Sequence, residues 1–405
     1  MMNFIDGGVC APIGFKAAGI HCGIRVGKTK KDLALIVSDL PASAAAVYTK
    51  NLIKGAPIYV TRENLKNGEA RAVIVNSGNA NTCTSNGLRN AAEMCGIAAK
   101  ALSISLNDVI VASTGVIGQP LDVSPIRDGI GDLVNELSES GSSSAAEAIM
   151  TTDTFAKEVS VSVDINVGKT IKIGGIAKGS GMINPDMATM LAFLTTDADV
   201  DPIFLSELLK SAADVSFNRV SVDGDTSTND MLSIMANGAS GVEIFPQTEE
   251  CEKFTDALNA VCVALAKMLA KDGEGATKLI ECNVCGAPSD ESAEKVADSV
   301  LNSALVKTAM FGNDANWGRI MCAIGYSGAE LDVELIDVAL KSAAGNISVC
   351  KNGAGVEFCE EKALEILKCD EISIDIALNQ GEYSAAAWGC DLSYDYVKIN
   401  GDYRT

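Results

Sequence analysis

The single histidine of the 405-residue sequence restricts its acid–base chemistry. His21 stands in the apolar, glycine-rich run from Gly19 to Gly23, a setting more typical of a core or a turn than of a catalytic site. A Ser-His-Asp or Cys-His arrangement could use only this residue, and a zinc motif with two histidines is excluded. We therefore expect any acyl-transfer or hydrolytic chemistry to take its general base from another kind of group.

The α-amino group of an N-terminal threonine is such a base, with a reference pKa of about 7.7 to 8.0. An internal threonine acquires this amine only when the preceding peptide bond is cut. The run Lys178–Leu191 suits a cut: two glycines let the backbone bend, Pro185 restricts the approach, and the small Ala188 leaves its carbonyl open. Cleavage between Ala188 and Thr189 would free a nucleophile. Taken alone, the run also fits a glycine-rich loop before a buried strand at 190–194.

Two further motifs resemble ligand-binding loops but lack required residues. The triplet Gly168–Thr170 imitates the end of a phosphate-binding loop, but Val163 stands where that loop needs glycine. The triplet Asp223–Asp225 begins like a calcium-binding loop, but Thr228 and Ile234 occupy its glycine and glutamate positions. We interpret the first as a hairpin turn and the second as a tight polar turn, where magnesium is left open. No metal site is predicted.

Composition restricts the partners and the compartment. The 53 acidic and 32 basic residues give a formal charge of −21, which would repel nucleic acids and anionic lipids. We find no secretory signal at the N-terminus and no run of about 18 apolar residues that could span a bilayer. The 13 scattered cysteines indicate reduced thiols, and the pair Cys282 and Cys285 is interpreted as buried thiols in a strand. We expect a cytoplasmic protein.

Strand-like and helix-like runs alternate along the whole chain. Strands are predicted at 33–37, 72–75, 109–111, 278–285 and 331–336, with a hairpin at 159–173; helices are predicted at 88–102, 125–137, 202–215, 252–270 and 291–306. Ser113, Thr114 and Gly115 are expected to form a loop after the third strand. Interleaved elements indicate an α/β or α+β fold with helices layered on sheets, and the length predicts two or three domains.

The run K-G-S-G-M-I-N-P-D-M-A-T-M-L-A-F resembles the cleavage signature of the ornithine acetyltransferase family, also called glutamate N-acetyltransferase. Nearly every position of the run matches, so the signature is specific. Other segments that resemble this family are Gly14–Ile20, Asn76–Asn81, Ala112–Gly118, Met150–Thr154, Val222–Asp230 and Asn316–Ile320. The resemblance extends from the region of residue 7 to Thr405 and so covers nearly the whole chain.

This resemblance implies a self-processed enzyme with two domains, the family's own α/β fold and an N-terminal nucleophile. It implies that the acetyl group moves from N-acetylornithine to glutamate in arginine biosynthesis, by a ping-pong route through acetyl-Thr189. Residues 1–188 would form a light fragment with the oxyanion-hole loop, and residues 189–405 a heavy fragment with a smaller C-terminal subdomain. Two light and two heavy fragments would assemble. No cofactor is implied, and acetyl-CoA is left open as a second acetyl donor.

The resemblance also implies roles for individual residues. Thr189 matches the nucleophile, and Thr114 with Gly115 matches the pair that stabilises the oxyanion. The substrate-binding positions of the family are matched by Thr152, Lys178, Thr189, Glu274, Asn400 and Thr405. A slip of one or two positions would replace Thr152 with Thr151 or Thr154. Glu274 suits the distal ammonium of ornithine but would repel glutamate, so the way in which one pocket serves both substrates stays open.

The C-terminal tail is expected to be ordered. Tyr394, Tyr396, Val397 and Ile399 form a β-prone run that predicts a packed strand, which would direct Asn400 inward. Two other functional hypotheses remain beside the acetyltransferase. One is a self-cleaved N-terminal-nucleophile aminopeptidase or amidase, which would use water as the acceptor. The other is a relative that stays uncut and serves as a binding protein.

Overall fold

The computed structural model describes residues 1–166, 168–184 and 190–402, and strands and helices alternate within these ranges. The strands are β1 (Met2–Ile5), β2 (Phe15–Ile20), β3 (Leu33–Tyr48), β4 (Glu69–Asn79), β5 (Val109–Val116), β6 (Lys157–Asn166), β7 (Lys169–Lys178), β8 (Leu191–Thr196), β9 (Asp199–Val200), β10 (Val220–Ser221), β11 (Met231–Ala236), β12 (Glu243–Ile244), β13 (Leu279–Ala287), β14 (Asp337–Ser342), β15 (Gly345–Lys351), β16 (Ala354–Gly355), β17 (Glu371–Ala377) and β18 (Tyr383–Cys390).

The helices of the described ranges fill the intervals between these strands. They are α1 (Ala56–Asn64), α2 (Gly87–Leu102), α3 (Ser124–Asn135), α4 (Ser142–Ile149), α5 (Pro202–Asp214), α6 (Glu249–Lys271), α7 (Asp290–Asn302), α8 (Ala304–Phe311), α9 (Trp317–Gly325), α10 (Glu360–Leu367) and α11 (Tyr394–Asp402). The predicted mixed α/β class is therefore confirmed. None of these helices is long and apolar enough to cross a membrane.

The first sheet curves strongly. Its strands follow the order β1-β6-β7-β8-β11-β3-β4-β5, with β2 paired to β3. Five strand spacings separate β7 from β5, which would be roughly 24 Å in a flat sheet. Yet Nζ of Lys178, at the end of β7, lies 3.3 Å from Oγ1 of Thr114 in β5. The sheet therefore bends back far enough to bring these two distant strand ends into contact.

A long helix joins the first sheet to a second one. The second sheet follows the order β10-β18-β13-β17-β14-β15-β16. Helix α6 packs against β6 and β7 of the first sheet and against β13 and β18 of the second. Its inward residues, such as Phe254, Leu258 and Leu265, are fully buried. Thr248 caps the helix, since its side chain accepts a hydrogen bond from the backbone N–H of Cys251. The helix is therefore the central layer between two sheets.

Three element predictions are wrong, and hydrogen bonds in the structure explain them. Ser113–Gly115 is not a loop, because β5 continues through these residues in register with the end of β4. The helix predicted at 291–306 is interrupted at Ser303, whose hydroxyl caps the separate helix α8. The strand predicted at 331–336 is displaced, since β14 begins at Asp337. Val333–Leu335 instead form a 3₁₀ turn, in which the Asp332 side chain accepts a hydrogen bond from the N–H of Glu334 at 3.1 Å.

The C-terminal prediction is also wrong in its element type. The run predicted as a packed strand is helix α11, in which Tyr394 is 84% and Val397 is 70% exposed. The Ser393 hydroxyl accepts a hydrogen bond from the N–H of Asp395 at 3.2 Å, as a helix cap does. Strand propensity reflects packing on a pleated surface, and these side chains have no such surface to cover. The tail is held by a few polar contacts instead.

Strand alternation separates the two cysteines that the sequence groups together. Cys282 in β13 is fully buried, as predicted, whereas Cys285 in the same strand is exposed. Residues an odd number of positions apart face opposite sides of a strand, so the prediction of two buried thiols is wrong for Cys285. The cysteines of the described ranges are all free thiols.

Candidate active site

The predicted oxyanion-hole pair lies at the end of β5. Thr114 is 5% exposed, and its Oγ1 lies 3.3 Å from Nζ of Lys178. Gly115 has a φ of +129°, and a Cβ atom there would lie 2.3 Å from the carbonyl carbon of Gly78. Any larger residue at 115 would therefore push β5 away from β4. The glycine permits the close approach that fixes the position of Thr114.

Lys178 carries a buried amine at the end of β7. Its side chain is fully enclosed, so desolvation lowers its pKa; Asp153 and Asp230 oppose this shift, whereas Lys157 and Arg25 add to it. Its ammonium donates to Thr114, which leaves the hydrogen of the Thr114 hydroxyl free to point at another acceptor. The structure thus brings Lys178 and Thr114 into contact. The sequence prediction places both residues in one site, and this contact is what such a site requires.

A buried ion network supports this pair and was missed in the sequence. Nζ of Lys157 lies 2.7 Å from Asp153 and 2.5 Å from Asp272, and all three side chains are almost completely buried. Oδ1 of Asp153 also accepts from the N–H of Gly179 at 2.7 Å, directly after Lys178. Burial would raise the pKa of Asp153, but the two lysine ammonium groups outweigh it and hold that pKa well below its usual range.

The other end of the network fixes a second set of predicted residues. Asp272 accepts from the N–H of Thr154 and so ties α6 to the loop that contains Thr152. The only sequence signal for this network was the i, i+4 spacing of Asp153 and Lys157, which does not identify Asp272. Because Glu274 lies two residues beyond Asp272, the network positions residues from both loops.

Three predicted substrate positions meet around Ser180. Oγ1 of Thr152 lies 2.6 Å from Oγ of Ser180, and the N–H of Glu274 donates to the carbonyl of Ser180 at 2.7 Å. Oε2 of Glu274 accepts from Nδ2 of Asn400 at 2.8 Å. A Cβ atom on Gly181 would lie 2.5 Å from the Glu274 carboxylate, so a larger residue there would displace it. Thr152, Glu274 and Asn400 therefore form one connected group.

The remaining predicted site residues lie outside the described ranges. These are Ala188 and Thr189 at the predicted cut, and Thr405 at the C-terminus. Described residues on either side of the predicted cut are held by two aspartates of one loop. Asp223 accepts from the N–H groups of Met182 and Ile183, and Asp230 accepts from the N–H of Met190 at 3.0 Å.

The loop that carries these aspartates is tied to β5, the strand of the predicted oxyanion-hole pair. Nδ2 of Asn229 donates to the carbonyls of Ser113 at 2.9 Å and Ala80 at 2.7 Å. The hydroxyl of Tyr396 in α11 donates to Asp223 at 3.3 Å. Asp223 begins the triplet that the sequence predicted to be a tight polar turn, and the 223–230 loop as a whole contacts β5, α11 and the chain on both sides of the predicted cut. Among the described residues no cluster of three potential metal ligands occurs.

A cavity of about 630 Å³ borders Asp272 of the buried ion network. Its lining includes Thr154, Asp272 and Gly273 on one side and Lys398 and Ile399 of α11 on the other. The cavity therefore opens between the ion network and the C-terminal helix. Thr114 and Lys178 do not line it, and they lie deeper in the first sheet.

Comparisons with known proteins cover the whole chain. The model of the ArgJ family matches residues 16–405. The arginine biosynthesis bifunctional protein ArgJ of Caldanaerobacter subterraneus subsp. tengcongensis is 50% identical over 406 residues, which is 100% of both chains. A glutamate N-acetyltransferase of Methanocaldococcus jannaschii is 48% identical over 413 residues, again 100% of both chains.

Solved structures give partial matches. The crystal structure of ArgJ from Bacillus halodurans is 46% identical, with a TM-score of 0.49, and the match covers 52% of this chain and 97% of that one. An ornithine acetyltransferase from Mycobacterium tuberculosis, solved in complex with ornithine, is 36% identical with a TM-score of 0.42. That match covers 46% of this chain and 98% of the other.

Proposed function

The chain belongs to the ArgJ family, and from this premise we propose that it moves the acetyl group of N-acetylornithine to glutamate through an acetyl ester on Thr189. The family resemblance seen in the cut-site run is confirmed, and the protein is an acetyltransferase of arginine biosynthesis. The substrates, the covalent route and the individual residue roles belong to the proposal.

The observation that carries the proposal is the buried contact between Lys178 and Thr114. The two residues come from distant strands, and Lys178 is the residue from which the cut-site segment starts. An ammonium that donates to the Thr114 oxygen polarises the hydroxyl, whose own hydrogen can then bind an oxyanion. Together with the backbone N–H of Gly115, this hydroxyl would stabilise the negative charge that develops on the acetyl oxygen.

The proposed reaction has two half-reactions. In the first, Oγ of Thr189 attacks the acetyl carbon of N-acetylornithine, the amide C–N bond breaks, and the hydroxyl proton passes through the Thr189 α-amine to the departing ornithine nitrogen. In the second, the amino group of glutamate attacks the ester and restores the hydroxyl. This route requires self-cleavage between Ala188 and Thr189 and predicts fragments of residues 1–188 and 189–405.

Substrate binding is proposed for the group around Ser180 together with Lys178 and Thr405. The Glu274 carboxylate would bind the distal ammonium of ornithine, while the Asn400 amide, which now donates to Glu274, could donate to the side-chain carboxylate of glutamate. This exchange of partners would let one pocket take both substrates. The hydroxyl oxygen of Thr405 would accept a hydrogen bond from a substrate ammonium, so a truncation after Asn400 should raise the KM for either substrate.

The proposal also covers how the fragments assemble, which acetyl donors are used and where the protein works. We propose that two light and two heavy fragments assemble, that no cofactor takes part, and that the protein works in the cytoplasm. The free thiols support the last point. An assay with acetyl-CoA and glutamate decides whether acetyl-CoA serves as a second acetyl donor.

One assay tests the reaction. Purified protein is given N-acetylornithine and glutamate, and then acetyl-CoA and glutamate, while ornithine and N-acetylglutamate are quantified. We expect parallel double-reciprocal lines with the first pair, as a ping-pong mechanism requires. Release of amino acids from peptides without acetyl transfer would favour the aminopeptidase hypothesis instead. An intact chain with no turnover of either kind would favour a binding protein.

A further inference from the structure

Asp230 is a buried carboxylate that the roles above do not explain. It is 1% exposed and immediately precedes β11. Its Oδ1 accepts the hydrogen bond from Met190, but its Oδ2 is buried and has no hydrogen-bond partner within the described ranges. A buried polar atom without a partner costs about 1 to 3 kcal/mol, and more when it is charged. Such an atom indicates a missing donor.

Covalent geometry indicates which donor this is. The amide nitrogen of Met190 is bonded to the carbonyl carbon of Thr189. In any polypeptide the α-nitrogen of one residue lies roughly 3 Å from the amide nitrogen of the next. Asp230 therefore holds the amide next to the nitrogen that becomes a free amine when the bond before Thr189 is cut.

We propose that Asp230 binds the α-amino group of Thr189 in the cleaved protein. Oδ1 keeps the Met190 amide, and Oδ2 accepts from the α-ammonium that forms when the amine takes the hydroxyl proton. The ammonium then gives this proton to the departing amine, and Asp230 keeps none, so it acts as a positioning residue. This inference rests on the self-cleavage and the nucleophile of the proposed function.

The surroundings of Asp230 suit a cationic ligand. Burial raises the pKa of Asp230 well above its usual range, while the hydroxyls of Ser227 and Thr49 and the ammonium of Lys178 favour its charged form. Neither hydroxyl satisfies Oδ2, and that of Thr49 donates to the carbonyl of Ser227. The charged group that acts on Asp230 is Lys178, and Asp153, Lys157 and Arg25 act in turn on Lys178. A new ammonium against Oδ2 would offset the cost of burying this carboxylate.

Asp223 offers a matched control from the same loop. Its Oδ2 accepts from the N–H of Met182 at 2.6 Å, and its Oδ1 accepts from the N–H of Ile183 at 2.8 Å. Both oxygens are occupied, and they hold the chain on the other side of the predicted cut. Asp223→Asn removes a half-buried carboxylate of the same loop without removing the proposed partner of the α-amine.

The test is the titration of the Thr189 α-amine in cleaved wild type, Asp230→Asn and Asp223→Asn. Cyanate carbamylates only the neutral amine, so the mass of the 189–405 fragment reports the rate at each pH. A nearby carboxylate favours the ammonium and raises its pKa, so Asp230→Asn should lower the amine pKa by roughly 1 to 3 units. The acid limb of kcat/KM should move to lower pH by the same amount. Asp223→Asn should leave both near the wild-type position.

Each other outcome also decides the question. An unchanged titration in cleaved Asp230→Asn would overturn the inference. So would an Asp230→Asn protein that folds but never cuts, since its role would then lie in self-cleavage. If Asp230→Asn does not fold, Ser227→Ala replaces it: loss of a hydroxyl that favours charged Asp230 should shift the amine in the same direction by less, and no shift would overturn the inference. Absence of a reactive Thr189 amine in wild type would refute the proposed function itself.

Discussion

The two sheets bury polar side chains to very different extents. Between residues 279 and 390, which are all described and contain every strand of the second sheet except β10, the buried polar residues are Ser303 and Lys307, and β10 adds Ser221. The first sheet and its loops bury a connected group of ionisable side chains, which includes Asp153, Lys157, Lys178, Asp230 and Asp272. The second sheet is covered mainly by apolar residues of α7 to α10. One half of the molecule therefore has an ordinary core, and the other encloses charge.

This difference indicates which region holds charged groups in place at a cost in stability. Removing charges from water is costly, and pairing rarely returns more than an apolar replacement would. The buried charges that span β6, β7, α6 and the 223–230 loop are therefore weak evidence that this region is more stable. They are better evidence that its side chains are held in fixed positions. In the second sheet, by contrast, substitutions should change stability without changing the chemistry. Four predictions test this contrast.

The largest effect should come from the buried lysine of the first region. Lys157→Met leaves Asp153 and Asp272 buried without their shared cation, and removal of one partner from such a network costs about 3 to 5 kcal/mol. Lys307, the buried lysine of the second region, bonds to the carbonyl of Cys390 and lies 3.7 Å from its sulfur. Lys307→Met should cost only about 1 to 3 kcal/mol. Thermal unfolding of both variants measures the difference, and equal losses would break the comparison.

Thr114→Ala should separate activity from stability. If the hydroxyl contacts the oxyanion, kcat should fall on the order of 10²- to 10³-fold, while the unfolding temperature changes little. Thr114→Ser retains the hydroxyl and should recover most of the rate. In the second region Ser299, which donates to the carbonyl of Ala323 at 2.6 Å, is the control, and Ser299→Ala should leave kcat unchanged. A loss of less than about threefold in Thr114→Ala would remove Thr114 from the oxyanion hole.

Asn400→Ala should have a smaller effect, confined to substrate binding. The residue lies on the exposed helix α11 and contacts Glu274, so the fold does not depend on it. We expect a KM about tenfold higher for N-acetylornithine or glutamate, equivalent to about 1.4 kcal/mol of binding. Val397→Ala, on the same helix but 70% exposed, should leave KM unchanged. Equal KM values in the two variants would show that α11 does not reach the substrate.

The smallest effect concerns the two cysteines of β13. Cys285 is exposed and should be alkylated by iodoacetamide in the native protein, with little loss of activity. Cys282 is fully buried, and burial raises its pKa, so it should react only after denaturation. Peptide mapping by mass spectrometry distinguishes these thiols from the other cysteines. Native alkylation of Cys282 would show that the second sheet opens more readily than its apolar core implies.

Local patterns predicted most elements and part of the site. Helix α2 and the hairpin of β6 and β7 follow directly from periodicity, and Ser289 caps α7 as predicted. The contact between Lys178 and Thr114 could not be predicted from the sequence, because it depends on the curvature of a whole sheet. Family resemblance supplied those residues, whereas their contacts came from the fold.

Two kinds of feature could not be predicted from sequence. Buried networks such as that of Lys157 join residues more than a hundred positions apart, and each member resembles an ordinary surface charge on its own. Helix α11 was mistaken for a strand because its β-prone side chains face solvent, where propensity has little influence. Both failures arise from tertiary context that no short window contains.

The central claim is that Thr189 becomes an N-terminal nucleophile that carries the acetyl group. The most direct test is the intact mass of the purified protein after incubation with N-acetylornithine in the absence of glutamate. We predict two fragments, residues 1–188 and 189–405, with one acetyl group on Thr189 of the larger fragment that glutamate removes. A single full-length chain with full activity, or an acetyl group on any other residue, would contradict the claim.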